Sequence, residues 1–215
     1  MNQPRHGTRF LGPAALAAAL LFAWLAWCVR PGHSVAFDTT VRATVHSWAS
    51  PALTEAMRFV TDLGSHYFLV PLGVLLVWRW VAIGRRRQAL LFASAILSAE
   101  LFTQLFKLVF HRPRPEVFFG LAPAETNSYP SGHAFASTVF YGLLAALLSA
   151  GETSARKRRA IRIAGMFLPL AIGFSRVYLG FHYPSDVLGG YAAAVVWLWA
   201  GRWLSVARLT PPEST

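Results

Sequence analysis

Long uncharged apolar runs alternate with short basic or polar stretches along almost the whole chain. Residues 11–29 carry no charge, and further apolar runs cover about 66–83, 88–110, 133–150, 160–180 and 184–206. A membrane-spanning helix needs about 20 mostly apolar residues, so the pattern predicts six spans. Pro71 and Pro169 fall inside spans two and five, where membrane helices tolerate them. Arg5 and Arg9 precede the first run, so a cleaved signal peptide ending near Ser34-Val35-Ala36 competes with a retained span. The run exceeds the roughly 7–15 apolar residues of a signal core and holds Trp24 and Trp27, which favours the span.

Between the first two runs, residues 31–64 are too polar to cross a bilayer. Phe37, Val41, Val45 and Trp48 recur at near-helical spacing, with Asp38 or Thr39 placed to cap such a helix. Leu53, Met57 and Val60 repeat the pattern after Ser50-Pro51. The segment reads as one or two short amphipathic helices on the membrane surface, either a cap on the bundle or a contributor to substrate binding. The expected fold is therefore all-α: a six-transmembrane-helix bundle with short extracytoplasmic helices between spans one and two. Residues 1–215 form a single membrane-embedded domain without repeats, and the tail after Arg208 is expected to be disordered.

Composition agrees with this class. Hydrophobic residues make up 55% of the 215 positions and charged ones 13%, about half the roughly 25% of soluble domains. The 20 Lys+Arg against 9 Asp+Glu leave a formal +11. A nucleic-acid binder would show such charge along an exposed surface, whereas here it separates apolar runs. Disorder, collagen-like repeats and a soluble nucleic-acid module are excluded; the expected partner is the lipid bilayer. Cys28 is the only cysteine, so neither an intramolecular disulfide nor a cysteine metal cluster can form.

The excess charge divides by side. Arg5, Arg9, Arg79, Arg85–Arg87, Arg156–Arg159 (Lys at 157), Arg162, Arg202 and Arg208 all fall on one side of a six-span layout. Basic short loops face the cytoplasm, so both termini are expected there. The opposite side holds Arg30, Arg42 and Arg58, matched in number by Asp38, Glu55 and Asp62. It also holds Lys107, Arg112, Arg114 and Arg176, crowded at span ends against only Glu116, Glu125 and Asp186. These four sit where the topology rule disfavours them, which asks for a functional reason.

Three clusters meet that outer surface. Lys107 ends span three and is followed by His111-Arg112-Pro113-Arg114-Pro115. Pro130-Ser131-Gly132-His133 opens span four. Ser175-Arg176 ends span five, and His182-Tyr183-Pro184-Ser185-Asp186 opens span six. Ser131 is placed to cap a helix, and Gly132 lets backbone N–H groups approach a ligand. A helix N-terminus favours an anion, and Lys and Arg can neutralise phosphoryl oxygens. Four residues separate His182 from Asp186. Asp186 can therefore accept from one imidazole nitrogen and leave the other free as a nucleophile. His133 can give a proton to a departing oxygen.

Lys107, six residues, then Arg114-Pro115; Pro130-Ser131-Gly132-His133; and Ser175-Arg176, five residues, His182, three residues, Asp186. In this order and spacing the chain resembles the type 2 phosphatidic acid phosphatases, or lipid phosphate phosphatases, particularly compact bacterial members acting on phosphatidylglycerol phosphate or undecaprenyl diphosphate. The motif core covers about 107–186. The resemblance implies metal-independent hydrolysis of a lipid phosphate or diphosphate at the extracytoplasmic surface of a bacterial inner membrane. His182 would attack phosphorus to form a phosphohistidine, with Asp186 orienting it. His133 would protonate the leaving group and then activate water. Lys107, Arg114, Ser131, Gly132 and Arg176 would hold the phosphoryl oxygens. No metal or cofactor is implied, and no carboxylate cluster or His/Cys set has metal-ligand spacing.

Two rivals remain: a lipid phosphotransferase of the same fold, and a non-enzymatic lipid-phosphate-binding relative, which would be expected to lack a reactive residue. Soluble vanadate haloperoxidases carry similar anion-binding motifs, but six spans argue against them. His111 and Arg112 occupy variable motif positions, with substrate contact open for both. His6, His33, His46 and His66 read as surface or packing residues. Glu100, inside span three, has Ser98, Thr103, Gln104 or another helix as its expected partner, ahead of a substrate role. Most of the eight tryptophans lie near span ends, as interfacial anchors do.

Overall fold

In a computed structural model, residues 11–30, 35–122 and 125–207 are described. The tail after Arg208 and the basic residues Arg5 and Arg9 lie outside them. The described residues form eight α-helices and no strand: α1 (Leu11–Cys28), α2 (Ala36–Ser47), α3 (Pro51–Asp62), α4 (His66–Ala82), α5 (Arg86–Val109), α6 (Gly132–Ala150), α7 (Ala155–Tyr178) and α8 (Pro184–Ala207). Three of them, α5, α6 and α7, are each long and apolar enough to cross a membrane. The bent pair α3 and α4, meeting at 44°, makes up to four, and Gly12–Cys28 is a shorter apolar helix.

Helix α6 is the hub, packing on α5, α7 and α8, while α1 lies against α8 and α4 against α5. At one end the core is aromatic. Phe92 meets Trp80 and Phe140 edge-on at ring separations of 5.2 and 5.0 Å, an arrangement the ring quadrupoles favour. Trp80 is therefore a core residue and not an interfacial anchor. At the other end the interior is polar: Asp38, Arg112, Ser128, Ser131, Arg176, His182, Ser185 and Asp186 are all buried. Large apolar side chains point outward instead, among them Leu90, Leu97, Leu108, Trp78 and Phe167. Polar inside and apolar outside is the arrangement a hydrocarbon solvent selects.

Two helices, α2 and α3, occupy the polar segment between the first apolar runs, and both pack against α7. Val41, Leu53 and Met57 join the cluster around Val45 and Tyr178, and Val60 joins the one around Phe140. Phe37 and Trp48, expected on the same face, are instead 49% and 54% exposed. The capping expectation also fails. Val35 occupies the N-cap of α2 without a side-chain bond, and Asp38 turns inward. Polar anchors fix the segment: Thr54 Oγ1 and Tyr178 Oη share a hydrogen bond of 2.9 Å, and Tyr141 Oη donates to the Leu63 carbonyl at 2.7 Å. The basic run Arg156–Arg159 lies in the first turn of α7 and not in a loop, with Ser154 capping at Lys157 N.

Candidate active site

The ends of α5 and α7 and the starts of α6 and α8 meet at the polar end of the bundle, together with the 110–131 loop. Local backbone chemistry makes this meeting tight. Gly180 takes φ +83 just past α7, a conformation glycine adopts at no steric cost. Its N–H bonds to Val177 O at 3.1 Å, and the next N–H, of Phe181, bonds to Arg176 O at 3.0 Å. This paired closure ends the helix and satisfies its last carbonyls, and it brings His182 N to 3.3 Å from the Arg176 carbonyl oxygen. At Gly190 a Cβ would stand 2.7 Å from the Ser131 carbonyl oxygen and 3.0 Å from Ala134 Cβ. Glycine there lets α8 lie against the first turn of α6, where Ser131 N donates to Asp186 O at 3.0 Å.

His182 is buried and has two unlike faces. Its Nδ1 lies 3.4 Å from Asp186 Oδ2 and 3.4 Å from Ser128 Oγ. Its Nε2 receives Arg114 Nη1 at 3.3 Å. A guanidinium can only donate, so Nε2 carries the lone pair and Nδ1 the proton, the tautomer a nucleophile at Nε2 requires. Burial holds the imidazole down at about 4, against the opposing pull of Asp186, so it is neutral at physiological pH.

Asp186 is held on every side. Its Oδ2 accepts from Ser128 Oγ at 2.5 Å and from Tyr183 N at 2.9 Å, and its Oδ1 from Arg112 Nη1 at 2.5 Å. Arg112 also donates to Ser185 Oγ at 2.8 Å and to Asp38 Oδ2 at 2.7 Å. Asp38 in turn accepts from Ser185 N at 2.9 Å and Ser185 Oγ at 2.6 Å, capping α8 where it was expected to cap α2. Burial opposes the charge of Arg112, but Asp186 and Asp38 outweigh it and hold the guanidinium above its ordinary value. Arg112 therefore faces the carboxylates behind His182.

The opposite face is cationic and underused. Arg114 donates Nε to Thr126 O at 2.6 Å, Nη2 to Thr126 Oγ1 at 2.9 Å and Nη1 to Phe181 O at 2.9 Å. Burial lowers its affinity for its proton, only partly offset by Asp186. Lys107 Nζ reaches Thr126 Oγ1 at 3.1 Å and lies 4.0 Å from where a Gly132 Cβ would stand. Arg176 Nη1 donates to Thr61 Oγ1 at 2.9 Å. Lys107, Arg114 and Arg176 are electrostatic neighbours, and His133 faces Arg176, His182, His66 and Lys107. Four buried side-chain polar atoms among the described residues meet no partner in the protein: Arg42 Nε, Arg58 Nε, Ser131 Oγ and Arg176 Nε. The last two belong here. Ser131 sits at the N-cap of α6, yet its hydroxyl makes no capping bond.

All eight residues expected at the site thus converge on one end of the bundle. Sequence reading missed Asp38, Thr61, Thr126 and Ser128, which hold the others in place. A polar Thr126-Asn127-Ser128 run just before the second cluster was the available signal. Glu100 accepts from Gln104 Nε2 at 2.6 Å, and its Oε2 lies 3.5 Å from His66 Nδ1. His66 is accordingly a partner of Glu100 and not a plain surface residue. Among the described residues no group of three or more His, Cys, Asp or Glu is placed to hold a metal ion.

A family model described as PAP2 superfamily matches residues 88–209. Phosphatidylglycerophosphatase B of Bacillus subtilis is 30% identical over 82% of this chain and 87% of its own length. An undecaprenyl-diphosphatase of Sulfolobus acidocaldarius is 29% identical over 80% of this chain and 77% of its own. Among solved structures, the transmembrane PAP2-type phosphatidylglycerolphosphate phosphatase of Bacillus subtilis superposes with a TM-score of 0.82. It is 24% identical, over 93% of this chain and 98% of that one.

Proposed function

The chain belongs to the PAP2 superfamily, and on that footing we propose that it hydrolyses a lipid phosphate or diphosphate through a phosphohistidine at His182. The observation that carries this reading is the pair of buried, unpartnered donors, Ser131 Oγ and Arg176 Nε: Ser131 adjoins Gly132, against which the end of Lys107 lies, and Arg176 is an electrostatic neighbour of Arg114. A buried polar group without a partner costs about 1–3 kcal/mol, and a phosphoryl group supplies the missing acceptors. The first N–H groups of α6 and its dipole add to the attraction.

Neutral His182 attacks phosphorus through Nε2 as Arg114 Nη1 moves from that nitrogen to a phosphoryl oxygen. Asp186 takes the hydrogen bond of Nδ1–H and stabilises the positive charge that develops on the ring. His133, charged once the anionic phosphoryl group is bound beside it, gives its proton to the departing oxygen as the P–O bond breaks. Neutral His133 then takes a proton from water, whose oxygen attacks phosphorus and releases His182 and phosphate. Lys107, Arg114 and Arg176 bind the non-bridging oxygens throughout. No metal or cofactor enters these steps.

The wider reading is a six-span integral protein of a bacterial cytoplasmic membrane, adding α1 and α8 to the spans. Its termini are cytoplasmic, its site is extracytoplasmic, and α2 and α3 lie at the membrane surface. The substrate's head then sits at the boundary while its tail stays in the bilayer. Phosphatidylglycerol phosphate, phosphatidate and undecaprenyl diphosphate are the candidates. The detergent-purified protein should release inorganic phosphate from at least one of them, with or without chelator, and vanadate should inhibit. Denatured enzyme quenched during turnover should carry acid-labile phosphate on His182. Absence of that label, or loss of activity with chelator, would sink the mechanism; transfer to a lipid acceptor without phosphate release would make the chain a phosphotransferase.

A further inference from the structure

A second polar group lies beside the phosphoryl site and plays no part in the steps above. Leu63, Gly64 and Ser65 join α3 to α4, and the turn is fastened beside the proposed site. Thr61 accepts from Arg176, Leu63 O accepts from Tyr141, and a Cβ at Gly64 would stand 3.4 Å from His133 Cδ2. His66 opens α4 directly behind this turn and is an electrostatic neighbour of His133. Across the gap to α5 it meets Glu100, which Gln104 supports and which is also an electrostatic neighbour of Lys107.

Glu100 and His66 side chains are 40% and 60% exposed, and the outward positions of α5 around Glu100 include Leu97, Leu101, Leu105 and Leu108. An accessible carboxylate within an apolar span is costly, and such groups pair within the protein or mark a functional site. The location of Glu100 says which part of a ligand it would meet. Displacement at phosphorus puts the nucleophile and the leaving oxygen on opposite sides, so the leaving group lies on the His133 side. Beyond His133 come Gly64 and then His66.

We propose that His66, Glu100 and Gln104 form a subsite for the leaving group, selecting a glycerol with a free hydroxyl beside the scissile oxygen over a phosphate in that position. A carboxylate only accepts hydrogen bonds; it welcomes a hydroxyl and repels a phosphate. His66 and Gln104 each use one oxygen of Glu100, and the remaining lone pairs are open to a hydroxyl donor. The inference rests on the hydrolase reading above and names its substrate class: a phosphomonoester on a glycerol head with a free hydroxyl next to the scissile bond. A polyprenyl diphosphate, whose leaving side bears a phosphate, fits less well.

The test compares kcat/KM on phosphatidylglycerol phosphate, on phosphatidate, whose leaving alcohol has no free hydroxyl, and on undecaprenyl diphosphate. In Glu100→Ala the ratio of phosphatidylglycerol phosphate to phosphatidate should fall about tenfold, the size of one hydrogen bond to a charged group. The ratio of undecaprenyl diphosphate to phosphatidate should rise as the repulsion is removed. If all three rates fall together with their ratios intact, Glu100 merely braces α4 on α5 and the subsite is wrong. Should Glu100→Ala not fold, Glu100→Gln removes the charge while keeping an acceptor, so the ratio of undecaprenyl diphosphate to phosphatidate should still rise, and an unchanged ratio there overturns the proposal equally. Wild-type protein inactive on all three lipids would sink the hydrolase reading instead.

Discussion

The two faces of His182 differ in one respect that organises the whole site. Behind the ring, every polar atom is paired: Asp186, Arg112, Asp38, Ser185 and Ser128 form a closed buried network. In front of it, three cations crowd together, and the hydroxyl of Ser131 and Nε of Arg176 have no protein partner. A saturated network fixes geometry, because removing any member leaves a buried charge exposed to nothing. An unsaturated one leaves donors that a ligand's oxygens could satisfy. The difference predicts that damage behind the ring appears as lost stability and turnover, and damage in front as lost affinity.

The sharpest break is at the ring itself. His182→Ala should reduce turnover to background while the protein remains folded, because the side chain contributes no partner that Asp186 lacks elsewhere. Phosphate release and thermal unfolding, measured on the same preparation, check both halves. Normal turnover would remove His182 from the mechanism.

Next comes one substitution on each side. Arg176→Met removes the buried cation proposed to bind the phosphoryl oxygens and should cost about 10²–10³ in kcat/KM. Its thermal midpoint should hold or rise, since functional strain is often relieved this way. Arg112→Met leaves Asp38 and Asp186 without their shared cation and should lose about 3–5 kcal/mol of stability. In the surviving folded fraction kcat should fall more than KM changes. If the two variants show the same profile, the division between faces is wrong.

A pH profile sharpens the comparison further. Burial holds His182 at about 4, below the ordinary imidazole value, so the ring is protonated only beneath that pH. The protonated ring has no lone pair to attack phosphorus. The acid limb of kcat/KM, which reports the free enzyme, should therefore lie near pH 4 and not near 6.5. Asp38→Asn weakens the hold on Arg112, leaves more of its positive charge acting on Asp186, and should move that limb to lower pH. An acid limb near 6.5 in wild-type protein would place His182 in a wetter environment than this structure gives it.

Much of the front face was legible in the sequence, and little of the back. Lys107, Arg114, Arg176 and the histidines announce themselves as ionisable groups at the ends of apolar runs, where charge is costly and short spacings persist. Helix extents followed from the same apolar runs, to within a few residues except at the start of α7. Asp38 and Thr61 sit in an ordinary polar segment. Their partners are 74, 115 and 147 residues away, and no periodicity records such a contact. Arg112 carried the right residue type but not its direction, because a guanidinium in a loop can turn either way. Glu100 was visible as an anomaly, yet its cross-helix partner His66 depends on how α4 docks, which apolar patterning leaves undetermined.

The smallest effect belongs to Ser131, and it tests the unsaturated face most cleanly. Its hydroxyl has no partner to lose, so Ser131→Ala should leave the thermal midpoint unchanged or raise it, since an unpartnered buried hydroxyl costs stability and adds none. An ordinary capping serine replaced by alanine would cost about 0.5–2 kcal/mol. If the hydroxyl waits for a phosphoryl oxygen, the whole penalty appears on binding. Vanadate affinity and 1/KM should each fall severalfold, consistent with one neutral hydrogen bond of about 0.5–1.5 kcal/mol. A drop in stability with unchanged vanadate affinity would make Ser131 a helix cap after all, and would move it from the front of the site to its scaffold.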